Sequence, residues 1–364
     1  MIRKVVGVIL RFDVRARGGF HQPDSRRVPD RRAAWSRRPL TAMVGLMLAV
    51  LPVAGCGGGD DAAAGGGDAA AAGGAVAGWG SAAGTTGVPS PAPGPGGASA
   101  SPSGPAGCRP VNGWDCTWQK RFATVSELVG KKPGSLGVEL RDRRTGAVWR
   151  VGATTHLYWT GSTIKLAMVT SVLERARAGE VTLTDADRKN IADMLAFSSD
   201  EAADEIWNKF GRDTMVGRFT SRYGMSKLAF AGSARYWGFM KCTPADLAAL
   251  MSYVLKTLDP KDRSYLVGAM RDTDPIQHWG VWAAGANQQP GNKNGWSVET
   301  DNGKDHWLTS SVGFVGPDQR YVLAMMYDMP AGQDSLKLGG QTLSDIAAVL
   351  FGAKTPAQVV VRPS

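Results

Sequence analysis

Gly161-Ser162-Thr163-Ile164-Lys165-Leu166-Ala167-Met168-Val169-Thr170-Ser171-Val172-Leu173 runs into the charged Glu174-Arg175-Ala176-Arg177. Ile164, Leu166, Ala167, Met168, Val169, Val172 and Leu173 leave no polar stripe. The spacing therefore predicts a helix over 162–177 that is buried nearly all round. Ser162 and Lys165 stand at i, i+3, on one face of that helix. A serine hydroxyl attacks only once a base takes its proton, and a lysine serves as base only where burial or nearby cations lower its pKa. A buried helix can supply that condition. The same two residues also suit a helix-capping serine with a snorkelling lysine.

Working outward toward the N-terminus, Trp118, Phe122, Val125, Leu128 and Val129 recur at helical spacing over 118–129. Leu136, Val138 and Leu140 alternate, Arg143-Arg144-Thr145-Gly146 punctuates, and a second run spans 147–151, which reads as a β-hairpin. Toward the C-terminus come helical stretches at 187–197, 201–210 and 244–257, the last starting at Thr243-Pro244. From 293 the pattern returns to strands. Runs at 308–315 and 321–327 flank Gly316-Pro317-Asp318 as a second hairpin, and 342–351 reads as a closing helix. The fold class expected is α+β, with a sheet built from both ends of the chain and an all-helical insertion between them.

Two further segments bear on the chemistry. Phe197-Ser198-Ser199-Asp200-Glu201-Ala202-Ala203-Asp204 follows the helical stretch ending near 197, and Lys293-Asn294-Gly295-Trp296 opens the late strands. Unlike the K-x-G triplets at Lys209 and Lys337, that at Lys293 precedes a strand hairpin and a closing helix. With S-x-x-K at Ser162, the three segments resemble, in order and context, the S-x-x-K, S-D-N and K-T-G motifs of class A β-lactamases and penicillin-binding proteins. The resemblance covers residues 120–352. It implies the β-lactamase/DD-peptidase-like fold, with an antiparallel sheet and an all-helical subdomain. It also implies Ser162 as nucleophile, Lys165 as base and Ser198 as proton relay. Asp200, Lys293, Asn294, Gly295 and Trp296 would contact substrate, and the oxyanion would sit between the N–H groups of Ser162 and Trp296. No cofactor or metal is implied.

The sequence departs from the family at three places. The second motif can be registered as Ser198-Ser199-Asp200, which keeps Ala202-Ala203 in step, or as Ser199-Asp200-Glu201; the first is preferred. In either register an acid replaces the Asn. An ionised carboxylate only accepts hydrogen bonds, and Asp200 paired with Lys165 would raise the lysine pKa. Class A β-lactamases also carry a deacylating Glu before a T-x-P-A segment, here Thr243-Pro244-Ala245. This chain has no Glu from Ile206 through Val298 and no carboxylate between Asp213 and Asp246. The Thr of K-T-G is replaced by Asn294.

The N-terminal part has a different character. Met43 to Ala54 is an apolar run behind arginines, the layout of a secretory signal and shorter than a bilayer span. It ends Val53-Ala54-Gly55-Cys56, which resembles a bacterial lipobox, with Cys56 the lipidated residue; Ser36-Arg37-Arg38-Pro39-Leu40 resembles a twin-arginine signal. Residues 57–107, nearly all Gly, Ala, Ser and Pro, cannot offset the entropy of ordering and read as a linker. Expected boundaries are a signal peptide over 1–55, Cys56 and linker over 56–107, the folded domain over 108–353 and a tail over 354–364. The net charge of +10 sits mostly in residues 1–56, with 11 Lys/Arg against 3 Asp. The remainder has 31 basic against 29 acidic residues and gives no case for nucleic-acid binding.

Setting Cys56 aside, Cys108, Cys116 and Cys242 allow three pairings; Cys108 with Cys116 is favoured as a short local loop in an oxidising compartment. No C-x-x-C or H-E-x-x-H occurs, and only His156, His278 and His306 follow the leader. Trp279, Trp282, Trp296 and Trp307 could line a groove or fill the core. A catalytic role for His278 or His306 is not expected, and no G-x-S-x-G elbow supplies a rival serine. The expected function is an extracytoplasmic serine hydrolase on the outer face of the membrane, held by its lipid anchor only, and monomeric. It would form an acyl-enzyme with a β-lactam or a peptidoglycan-type D-amino-acid peptide and deacylate slowly. The alternative is a catalytically silent cell-envelope binding lipoprotein that kept the fold.

Overall fold

The computed structural model describes residues 108–361 apart from residue 302. The expected leader, Cys56 and residues 57–107 lie outside the described residues, as do residues 362–364 of the tail. Asp115 caps helix α1 (Cys116–Gly130), its carboxylate accepting from the Trp118 N–H at 3.0 Å. A disulfide joins Cys108 to Cys116, with Cα atoms 6.0 Å apart. Strands β1 (Ser135–Asp142) and β2 (Val148–Gly152) form the first hairpin, and β3 (Tyr158–Trp159) leads into a 3-10 turn, Gly161–Thr163. Helix α2 (Ile164–Arg177) continues from that turn. Then come α3 (Asp185–Ala196), α4 (Asp200–Lys209), α5 (Val216–Ser221), β4 (Ala229–Phe230), β5 (Met240–Cys242), α6 (Pro244–Lys256) and α7 (Pro260–Arg271). The chain closes with β6 (Gly291–Asp301), β7 (Lys304–Val315), β8 (Tyr321–Asp328) and α8 (Leu336–Phe351).

Five strands form one antiparallel sheet in the order β2-β1-β8-β7-β6, so the N-terminal hairpin is completed by the C-terminal strands. Val138 pairs with Met325 and Leu140 with Leu323 across that seam. On one face Val138, Leu140, Leu323 and Met325 pack with Trp118 and Phe122 of α1 and Leu343 and Ile346 of α8. On the other, Val312, Phe314, Ala324 and Met326 join the cluster built around α2, which includes Ile164, Met168, Ile206, Trp207, Leu250 and Met251. The fold is α+β, with α2 inside the helical layer and ten of its residues, Ile164–Leu173, buried.

Several boundaries differ from the sequence expectation for identifiable reasons. Strand β1 alternates in residue type but is buried on both faces, because helices cover both sides of the sheet. Its Glu139 is fully buried and answered by Arg141 and Arg150, each at 2.6 Å. Helix α8 begins at Leu336, not 342. Ser335 caps it, accepting from Leu338 N at 3.0 Å, and Gly339-Gly340 lies inside it. A Cβ on Gly339 would meet Met329 and Thr309 at 2.6 Å, so the glycines allow close packing and do not end the helix. Helix α7 and a second sheet of order β3-β5-β4 were not anticipated. Two- and three-residue strands leave too short a pattern to read.

Candidate active site

Ser162 lies at the junction of the two layers. Thr160 follows β3, and the Thr163 hydroxyl donates back to the Thr160 carbonyl at 2.6 Å, closing the turn that opens α2. Gly161 has φ +49°, and a Cβ there would lie 3.1 Å from the Trp296 nitrogen. Across the contact, a Cβ on Gly295 would lie 2.8 Å from the Ser162 nitrogen. Glycine on both sides is therefore what lets β6 touch the serine turn. The N–H groups of Ser162 and Trp296 belong to this one contact, and Ser162 is 9 % exposed.

Behind the serine, Lys165 is wholly buried. Its ammonium donates to the Ser198 carbonyl and to Asp200 Oδ1, both at 2.5 Å, and lies 4.7 Å from the centre of the Trp237 ring. Burial pushes the Lys165 pKa down, while Asp200, and further off Asp204 and Glu201, act against that shift. Ser198 adopts φ +63°, just before the start of α4, and Ser199 is the helix cap, accepting from Ala202 N at 3.1 Å. Ser198, not Ser199, thus faces the site. Asp200 is about half exposed (51 %), with Lys165 as its partner.

Lys293 approaches from the strand side and is also fully buried. It donates to Ser198 Oγ at 2.8 Å, Gln277 Oε1 at 2.9 Å and the Asn294 carbonyl at 2.8 Å. Burial, then the nearby Lys165 charge, holds its pKa well below the ordinary lysine range. Ser198 therefore touches both lysines, one through its carbonyl and one through its hydroxyl. Asn294 alternates to the other face of β6, where its amide donates to the carbonyls of Gln277 (2.9 Å) and Trp279 (3.2 Å) and accepts from Asn292 (2.8 Å). Its side chain is fully buried there, so the structure does not bring it to the Ser162 side of the strand. Trp296 packs edge-on to the buried Trp279, with ring centres 6.1 Å apart.

Three residues of the site were not anticipated from the sequence. Gln277 is a buried hub: besides Lys293 it accepts from the Asn294 N–H (3.1 Å), and its amide donates to the carbonyls of Leu195 (2.6 Å) and Ala196 (2.9 Å). Trp237 lies in the 231–239 loop before Thr243-Pro244-Ala245, and Asp204 pins it there. The Asp204 carboxylate accepts from Trp237 Nε1 at 2.8 Å and from the Tyr236 hydroxyl at 2.5 Å. The Ala-Arg-Tyr-Trp-Gly-Phe run at 234–239 was an available aromatic signal; Gln277 sits in no motif. Among the described residues no group of three or more His, Cys, Asp or Glu could hold a metal ion. His306 and His156 meet Asp328 at 2.7 and 3.5 Å beside an open cleft of about 440 Å³, but that cleft includes none of the residues around Ser162. The Cys242 thiol is buried, and desolvation raises its pKa well above the ordinary value.

No protein-family model matches the chain. Its sequence is 26% identical over 223 residues to a Mycobacterium tuberculosis protein named lipoprotein LppW, covering 58% of this chain and 68% of that one. Among solved structures, PBP-A superposes with a TM-score of 0.53 at 20% identity, over 64% of this chain and 95% of PBP-A. A β-lactamase from Xanthomonas campestris gives 0.53 at 21% identity, over 65% and 98%. The extended-spectrum β-lactamase TLA-3 gives 0.55 at 13% identity, over 64% and 98%. The described residues therefore have the fold of class A β-lactamases and PBP-A.

Proposed function

We propose that this protein is an exported, lipid-anchored serine hydrolase that forms an acyl-enzyme on Ser162. The observation that carries this is the meeting of Lys165, Ser198 and Lys293 behind a serine whose turn touches Gly295 of β6. Ser162 Oγ would attack the carbonyl of a β-lactam or D-amino-acid peptide amide. The Oγ–C bond forms and the C–N bond breaks. The serine proton passes to Lys165 and returns through Ser198 to the leaving nitrogen. The N–H groups of Ser162 and Trp296 would hold the oxyanion. One of the solved relatives, a PBP-A variant, is described as an acyl-enzyme complex with penicillin G, which is the chemistry proposed.

Deacylation would be slow. No carboxylate is present between Asp213 and Asp246 to activate a deacylating water, and the neighbour of Lys165 on that side is the Trp237 ring, 4.7 Å from the ammonium. The name of the mycobacterial relative supports anchoring at Cys56 on the outer face of the membrane. A second reading, a binding lipoprotein without chemistry, is favoured by the Lys165–Asp200 pair, because a carboxylate at 2.5 Å opposes loss of the lysine proton. Intact-mass measurement during incubation with penicillin G separates the two. A persistent adduct that Ser162→Ala abolishes, with the fold intact by circular dichroism, is the expected result. Absence of any adduct, or equal labelling of the variant, would refute acylation at Ser162.

A further inference from the structure

Both ammonium groups at the serine are fully engaged by the protein. Lys293 is 0 % exposed, and its three N–H bonds go to Ser198 Oγ, Gln277 Oε1 and the Asn294 carbonyl, at 2.8, 2.9 and 2.8 Å. Lys165 is 0 % exposed, donates to the Ser198 carbonyl and Asp200 Oδ1 at 2.5 Å each, and has Trp237 over it. The charge that does reach solvent is negative. Asp200 is 51 % exposed, and among the described residues only its Oδ1 is hydrogen-bonded. Glu201 beside it is exposed as well. The chain neighbours of the site are apolar at the surface: Phe197 is 55 % and Val298 46 % exposed.

Resting on the acyl-enzyme function proposed above, we infer that the site takes acyl donors without a carboxylate next to the leaving nitrogen, bearing instead an amide N–H or ammonium that donates to Asp200. An ionised carboxylate only accepts, so Asp200 binds a donor and repels an anion. A substrate carboxylate would also find no free N–H on Lys293, because Gln277 holds the third one. Acylation itself is unchanged: the Ser162 Oγ–C bond forms, the C–N bond breaks, and the serine proton ends on the leaving nitrogen.

The test compares penicillin G with its carboxamide, identical except that the carboxylate becomes a neutral N–H donor. Adduct formation on the protein is followed by intact mass. The carboxamide is expected to acylate faster by about tenfold, the scale of one unfavourable charge contact at a half-exposed site. Equal or faster reaction of the free acid overturns the inference while leaving acylation at Ser162 standing. If neither compound forms an adduct, the proposed function fails and this inference falls with it. Asp200→Asn is then read through the ratio of the two rates, which is expected to move toward the free acid by about tenfold. An unchanged ratio would overturn the role given to Asp200.

Discussion

The two walls of the candidate site, helical and strand, each hold one buried lysine, and they hold it by different means. On the helical wall Lys165 faces a carboxylate that is half in solvent, a carbonyl and an aromatic ring. On the strand wall Lys293 faces only neutral oxygens, those of Ser198, Gln277 and Asn294, and none of it reaches solvent. Charge opposite charge leaves the first lysine's pKa pulled both ways, and so adjustable by one substitution. Desolvation and then the Lys165 charge push the second one down, with Asp200 opposing through space and no carboxylate hydrogen-bonded to it. Under the function proposed above, the helical wall would move the proton, while Lys293 on the strand wall holds the Ser198 hydroxyl. Identical residue types serve different ends because burial and counter-charge, not the ammonium itself, set the chemistry.

Substitutions can break this contrast. Lys165→Met should have the largest effect, lowering the acylation rate by about 10³-fold, the contribution of a positioned base. A rate within tenfold of the unaltered protein would make Lys165 a counter-ion for Asp200 and leave proton transfer to the strand wall. Gln277→Ala should act on stability. It strips acceptors and donors from Lys293, Asn294, Leu195 and Ala196 in a dry interior, at a cost of about 2–4 kcal/mol in chemical denaturation. Asp200→Asn keeps an oxygen for Lys165 at a half-exposed position and should cost less than about 1 kcal/mol. If the two losses were equal, the walls would not differ as described.

The finest test is pH. The base of the proposed mechanism, Lys165, would act only when neutral, so the acylation rate is expected to climb as pH rises through its pKa, which burial lowers from the ordinary value. Removing the Asp200 charge removes the largest influence opposing that depression. In Asp200→Asn the climb should therefore move to lower pH. A pH–rate profile that stayed in place or moved upward would show that the pair does not control Lys165.

Much of the fold was legible in the residues. The all-round apolarity of 162–177, the helical spacing of 118–129 and the late hairpin each correspond to elements of the structure, α2, α1 and β7–β8, because burial of side chains at a fixed period leaves a mark along the chain. Short strands and the glycine-containing first turns of α8 left no such mark. Gly339 of α8, for one, lies so close to Thr309 and Met329 that no side chain would fit there. Lys165 and Lys293 lie on the helix and the strand expected from their motifs, whereas Ser162, expected to open the helix, lies in the 3-10 turn that precedes α2.

The sequence by itself determined that a hydroxyl and an amine stand three residues apart at the start of a buried helix, and that an acid stands where the family resemblance would put an amide. Only the tertiary structure decided who meets whom. Ser198 lies on Lys293, Asp200 on Lys165, Trp237 over the same ammonium, and Asn294 turns away from the cleft. These partners come from separate elements, up to 95 residues apart for Ser198 and Lys293. Periodicity reports a residue's own face of its own element. It carries no information about the packing that brings two distant faces together, or about the dielectric that packing creates.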